Sequence, residues 1–109
     1  MVTNASAVLG ALADPTRRLV LERLAAGPCA VGELAARLPV SRPAVSQHLR
    51  VLKDAGLVRD EQRGTRRYYA VAPEGAEALR AYAEQLWKAA LSSFADAAEG
   101  AARTDKESS

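Results

Sequence analysis

Ser46, Gln47 and Arg50 fall within one short stretch, Ser41 to Gly56, whose apolar residues recur at helical spacing. Val45, Leu49 and Leu52 sit at i, i+4 and i+7 and share one face, which should be buried. At 100° per residue, Arg42, Ser46, Gln47 and Arg50 project from the other side. Their chemistry suits nucleobase edges in a major groove: arginine pairs two-pronged with guanine, glutamine with adenine, and serine with several edges. Each good two-pronged pair discriminates between bases by about 1–3 kcal/mol. The plain alternative is a helix face that is merely polar. His48, on the flank of the buried stripe, has two open readings: it reaches a phosphate or base, or it is half-buried and bonded to a neighbouring carbonyl.

A second set follows closely. Arg63, Arg66 and Arg67 surround Gly64 and Thr65. Three arginines at the tip of a hairpin suit phosphate or minor-groove contact, and the plain alternative is a solvated tip. A helix that reads bases, followed by a basic hairpin, is an arrangement that grips duplex DNA, and Ser41 and Thr65 are expected among the residues that contact it.

These side chains need elements to hold them. Ser41 is placed to cap the helix, Pro43 fits its first turn, and Gly56 suits the left-handed residue that ends it. The hairpin is expected from residues 57–62 and 65–72, turning at Arg63-Gly64. In that register Tyr69 and Val71 point to the core, and Arg66 and Tyr68 to the other side. Upstream, residues 5–13 read as a helix. Asp14-Pro15 starts a second one that runs to about residue 26 and buries Val20, Leu21 and Leu24. Residues 31–38 form a shorter helix with Val31, Leu34, Ala35 and Leu38 on one face. Pro39 breaks it, and the short turn to Ser41 makes a helix-turn-helix.

From residue 73 to about residue 99 the pattern predicts one long helix. A helix on the order of 25 residues spans about 40 Å, more than a small body can cover. Leu86, Trp87, Leu91 and Phe94 therefore need a partner, and a second copy of the chain is the economical one. Val8, Leu9 and Leu12 of the first helix are expected on the same seam, while Leu79 and Tyr82 are better explained by folding back on the chain's own core. Residues 1–99 form the expected domain, and residues 100–109 a polar tail, frayed from residue 103.

Composition narrows the class. The chain of 109 residues suffices for one domain, and its five aromatics are few against many Ala and Leu, which favours helix. Net charge is only +2, but residues 1–72 hold eleven Lys/Arg against six Asp/Glu and residues 73–109 four against seven. The basic body should face an anionic polymer and the acidic part something else. No apolar run is long enough to span a bilayer and no cationic leader is present, so a cytoplasmic protein without membrane contact is expected.

Little supports catalysis. The sole cysteine, Cys29, and the sole histidine, His48, lie on separate elements, and no glycine loop cradles phosphate. With these as the only soft ligands, no metal site and no cofactor are expected. Cys29 reads as a small buried apolar group, the sharper alternative being a redox-sensing thiol, which has no second cysteine in the chain to pair with.

Several segments together resemble the ArsR family of bacterial winged-helix repressors. They are Ala11-Leu12-Ala13-Asp14-Pro15-Thr16-Arg17, Val31-Gly32-Glu33-Leu34-Ala35, Val45-Ser46-Gln47-His48-Leu49, Ala55-Gly56-Leu57-Val58 and Arg63-Gly64. The resemblance covers residues 5 to about 95. It implies a mainly α winged helix-turn-helix of order α-α-α-α-β-β-α, dimeric through the first and last helices. It also implies DNA contact by Ser46, Gln47 and His48 with the wing arginines assisting, and repression at an imperfect inverted repeat over the protein's own promoter, relieved by a signal. Metal-sensing members often carry a Cys-x-Cys pair where this chain has Ala30 and Gly32, and others a ligand set on the last helix, where Tyr82, Ala83, Glu84 and Gln85 stand. The chain thus resembles the branch without metal ligands. Its effector, whether small molecule, metal or protein, is left open, as is activation with a co-effector. The competing class is a winged-helix protein-interaction module, which would show an uncharged wing or an apolar recognition face.

Overall fold

Local signals start and stop the first four helices where the sequence placed them, to within a residue or two. The computed structural model describes residues 4–107, with side chains to residue 102. Its elements are α1 (Ala5–Leu12), α2 (Pro15–Ala25), β1 (Cys29–Ala30), α3 (Val31–Arg37), α4 (Arg42–Asp54), β2 (Val58–Arg63), β3 (Arg66–Val71) and α5 (Pro73–Glu107). Among these residues no helix is long and apolar enough to cross a membrane.

Asn4, Asp14 and Ser41 cap α1, α2 and α4, each accepting a bond from a first-turn amide; Asp14 takes two, from Thr16 at 2.7 Å and Arg17 at 3.1 Å. These amides hold the Asp14 carboxyl below the usual carboxylate range. Arg17 then reaches back across the turn, its Nε donating to the Ala11 carbonyl at 2.6 Å, and Arg18 donates to the Leu12 carbonyl at 2.7 Å. The Asp-Pro-Thr-Arg motif therefore closes the end of one helix and the start of the next. At the far end of α4, Gly56 takes φ +78°, with its amide bonded to the Lys53 carbonyl and that of Leu57 to Leu52. That pair of bonds is the Schellman stop.

The chain divides into two units, residues 1–79 and 80–109. In the first, α2 and α3 pack on α4. The core takes Val8 and Ala11 from α1, Val20 and Leu24 from α2, Leu34 from α3 and Val45, Leu49 and Leu52 from α4. Leu79 packs against this core, as expected of it. Tyr82, expected there too, is 42% exposed.

The sheet has three strands, ordered β1-β3-β2, all antiparallel. The sequence reading missed β1, since two residues cannot display an alternation. Cys29 opposite Tyr69 and Ala30 opposite Tyr68 tie the wing's inner strand to the start of α3. Tyr69 and Val71 lie against the core, as their alternation predicted. The wing turns one residue later than expected, at Gly64-Thr65, with Arg63 paired to Arg66. Gly64 at φ +64° explains the shift, since tight two-residue hairpins need a left-handed central residue.

The second unit is the remainder of α5. This helix continues to Glu107 rather than stopping near residue 99, so most of the expected polar tail is helical. The run from Ala97 to Ala102 offers good helix formers and no proline, and Gly100 alone does not break it. Residues 108 and 109, the end of the tail, lie outside the described residues. Along α5 the i, i+4 pairs Arg80–Glu84 and Lys88–Glu84 brace one flank.

Candidate nucleic-acid interface

The α4 helix separates its two faces cleanly. Val45, Leu49 and Leu52 are fully buried, whereas Arg42, Ser46, Gln47 and Arg50 are exposed and His48 is half-buried. The buried side locks the helix against α2 and α3, so the exposed side is presented on a rigid support. Ser46, Arg50 and Lys53 also line a cleft of about 500 Å³ that Tyr69 and Leu49 floor. Of the expected contacts, Ser41 is exposed and committed through its hydroxyl to capping α4, donated to by the Ala44 amide at 3.3 Å.

At the wing the four expected residues, Arg63, Thr65, Arg66 and Arg67, are all exposed. Arg63 and Arg66 flank the Tyr68 ring, their guanidinium carbons 5.1 and 5.5 Å from its centroid. Gln62 braces the turn by donating to the Gly64 carbonyl at 3.0 Å. Each wing arginine also meets a carboxylate: Arg63 meets Glu61 at 3.2 Å, Arg66 meets Glu33 at 2.9 Å, and Arg67 pairs with Asp60. The Arg63–Glu61 pair is exposed at both ends and contributes little, so exchanging that carboxylate for a phosphate is cheap. A second cleft, of about 410 Å³, lies between the wing and the start of α3 and is lined by Arg42, Thr65, Arg66 and Arg67.

Two carboxylates to which the sequence reading gave no role bear on this surface. Asp60, on β2, takes both Arg67 and Lys53, and the Lys53 ammonium above all holds its carboxyl below the usual range. Glu33, on α3, bonds Arg66 with one oxygen and accepts from the Cys29 thiol with the other, at 3.4 Å. The thiol first, then Arg66, holds the Glu33 carboxyl low. No local spacing could reveal these partners; charge alone hinted that some acid must face so many arginines.

Cys29 is fully buried, and burial first, then Glu33, pushes its thiol up. Among the described residues no three His, Cys, Asp or Glu side chains gather as a metal-holding group. At the expected dimer seam, Leu9, Leu86, Trp87, Leu91 and Phe94 are exposed and Leu12 is half-buried. Val8 has to be removed from that set: it is 0% exposed, spent entirely on the protomer's own core. The helical period of α1 turns Leu9 outward and Val8 inward.

A helix-turn-helix presenting a polar face, backed by a sheet whose hairpin projects basic side chains, defines a winged-helix DNA-binding protein. Comparison with known proteins sharpens the class. Residues 14–60 match the bacterial regulatory protein, arsR family. The HTH-type transcriptional regulator Rv2034 of Mycobacterium tuberculosis is 61% identical over 78% of this chain and 79% of its own length. The transcriptional repressor SdpR of Bacillus subtilis is 38% identical over 59% of this chain and 71% of its own. An ArsR-like transcriptional regulator from Rhodococcus sp. RHA1 superposes with a TM-score of 0.72 at 30% identity, covering 83% of this chain and 88% of that one. The chain belongs to the ArsR family of transcriptional regulators, which bind DNA and are not enzymes.

Proposed function

We propose that the protein is a homodimeric, sequence-specific repressor that binds an imperfect inverted repeat in its own promoter, in the cytoplasm, and is released by a signal not yet identified. The observation that carries this reading is the division of α4: Ser46, Gln47 and Arg50 face outward from a helix whose opposite side is sealed in the core. In this reading those three, with Arg42 and His48, meet base edges in the major groove. Ser41, Arg63, Thr65, Arg66 and Arg67 hold the sugar–phosphate backbone. The exposed stripe Leu86, Trp87, Leu91 and Phe94, with Leu9 and Leu12, pairs two copies. Their recognition helices then enter successive major grooves about 34–36 Å apart. Repression is favoured by the likeness to a named transcriptional repressor. The charged wing and polar recognition face argue against a module that binds only protein.

Footprinting the purified protein on its own promoter, followed by a mobility-shift titration of the protected site, tests the reading. Protection of two half-sites one helical turn apart is expected. Wild-type affinity in Ser46→Ala, Gln47→Ala and Arg50→Ala alike would sink it, and no binding to any duplex at low salt would favour the protein-interaction class.

A further inference from the structure

The Glu33–Arg66 pair joins α3 to the wing across 33 residues of sequence. Its geometry is unusual for a surface ion pair because the carboxylate is held at both ends. One oxygen lies 2.9 Å from the Arg66 guanidinium, and the other accepts from the thiol of Cys29, which is fully buried where β1 pairs with β3. A surface glutamate normally swings clear when a stronger anion arrives. This one is tethered to the core.

Arg66 belongs, with Arg42 and Arg67, to the lining of the cleft beside α3. Arg67 is occupied by Asp60, while Arg42 has no hydrogen-bond or ion-pair partner among the described residues. A phosphate entering this cleft meets Arg42 unopposed but must take Arg66 from a fixed negative charge.

We propose that Glu33 is a resident competitor for the wing: it occupies Arg66 in the free protein, opposes the phosphate that replaces it, and so sets how tightly the protein holds duplex DNA of any sequence. The inference rests on the DNA-binding reading above and adds to it a residue that weakens binding. Its effect is uniform across sequences, because phosphates carry no sequence information. Base discrimination stays with α4. A regulator that must leave random DNA to find its operator gains from such an opposing charge, since non-specific binding is almost wholly electrostatic.

Glu33→Gln keeps the size and an acceptor for the thiol while removing the charge. Fluorescence-anisotropy titrations with a random duplex and with the footprinted operator, at low and high salt, provide the test. Glu33→Gln should tighten both duplexes at low salt by about two- to fivefold, the scale of one exposed ion pair. The gain should fade as salt shortens the screening length. In the Arg66→Ala background the same change should give no gain, because the competitor then has nothing to compete for. Glu33→Ala should behave as Glu33→Gln does, and thermal melts confirm that both variants fold. An unchanged or weaker affinity in Glu33→Gln, with the wild type binding normally, overturns the proposal. So does an equal gain in the Arg66→Ala background, which would mark Glu33 as a diffuse charge. If the wild type binds no duplex at all, the DNA-binding reading itself fails, an outcome distinct from these.

Discussion

Lys53, near the end of the recognition helix, donates to Asp60 on the wing at 2.8 Å, and Asp60 is shared with Arg67 on the neighbouring strand. The Asp60 side chain is only 12% exposed, so this carboxylate is a joint between helix and hairpin rather than a solvated surface charge. Two cations beside the proposed DNA-facing surface are thereby paired within the protein.

Asp60→Asn should therefore release Lys53 and Arg67 and tighten binding to random duplex and operator alike, since phosphates carry no sequence information. The measurement is each affinity relative to wild type at one low salt concentration. Its pH dependence has a definite sign. The Asp60 carboxyl is depressed in the folded state, chiefly by Lys53. Its stabilisation is thus fully present above the unfolded value, about 3.9, and disappears as pH falls through the folded one. The difference in Tm between wild type and Asp60→Asn should be flat above pH about 5 and shrink below about 4. A difference that grew on acidification would contradict the assignment.

The helices, the face of α4 and the hairpin were legible in the sequence because their signals are local. Asp14, Ser41 and Gly56 act on amides and carbonyls within a turn of themselves, and Val45, Leu49 and Leu52 announce their face by spacing alone. What escaped depends on partners far along the chain. The strand β1 exists only because β3 accepts it, and Glu33 matters only because folding brings Arg66 to it. Val8 and Leu9 show the limit within a single helix. Both are apolar, and one residue of rotation sends Val8 into the core and leaves Leu9 44% exposed.

Cys29 should be inert in the native protein. Burial pushes its thiol up, the neighbouring Glu33 adds to the effect, and the thiolate is the reactive form. Iodoacetamide at neutral pH should label it more slowly than in the urea-unfolded chain by more than about tenfold, read by mass spectrometry over time. Mild peroxide should leave operator affinity unchanged. Equal labelling in the two states would show that the thiol is accessible and reopen the redox-sensing alternative.

Trp87 and Phe94, 65% and 68% exposed, are the largest side chains of the α5 stripe. Together, Trp87→Glu and Phe94→Glu should convert the protein to a monomer in sedimentation equilibrium. Buried aromatic anchors contribute about 2 kcal/mol or more each, so the pair should raise the dimer Kd by roughly a thousandfold. Helix content by circular dichroism should stay close to wild type, since both positions are exposed in the single chain. Binding to an inverted repeat should collapse towards that of an isolated half-site. A double variant that still sediments as a dimer would place the seam elsewhere.

Gly75, in the first turn of α5, sits against the stop of the recognition helix. Its amide donates to the Gly56 carbonyl at 2.8 Å, and the Ala72 amide donates to the Leu57 carbonyl at the same distance. A Cβ at residue 75 would lie 2.7 Å from the Gly56 oxygen and 2.8 Å from a Leu57 methyl. The first of these atoms is backbone, fixed by the left-handed Gly56, and cannot yield without disturbing the end of α4. Alanine at an unstrained helix position gains about 1 kcal/mol over glycine, whereas overpacking of this kind costs about 1–3 kcal/mol and occasionally more. The contact with backbone puts Gly75→Ala at the costly end, a net loss of about 1–2 kcal/mol. For a domain of this size that is a fall in Tm on the order of 5–10 °C, measurable by calorimetry. The amide bond from residue 75 and the placement of α4 should loosen together, so operator affinity should drop along with Tm although residue 75 touches no DNA in the proposed complex. A variant as stable as wild type would mean that the helix start can shift away from Gly56, and that the close approach does not fix the recognition helix.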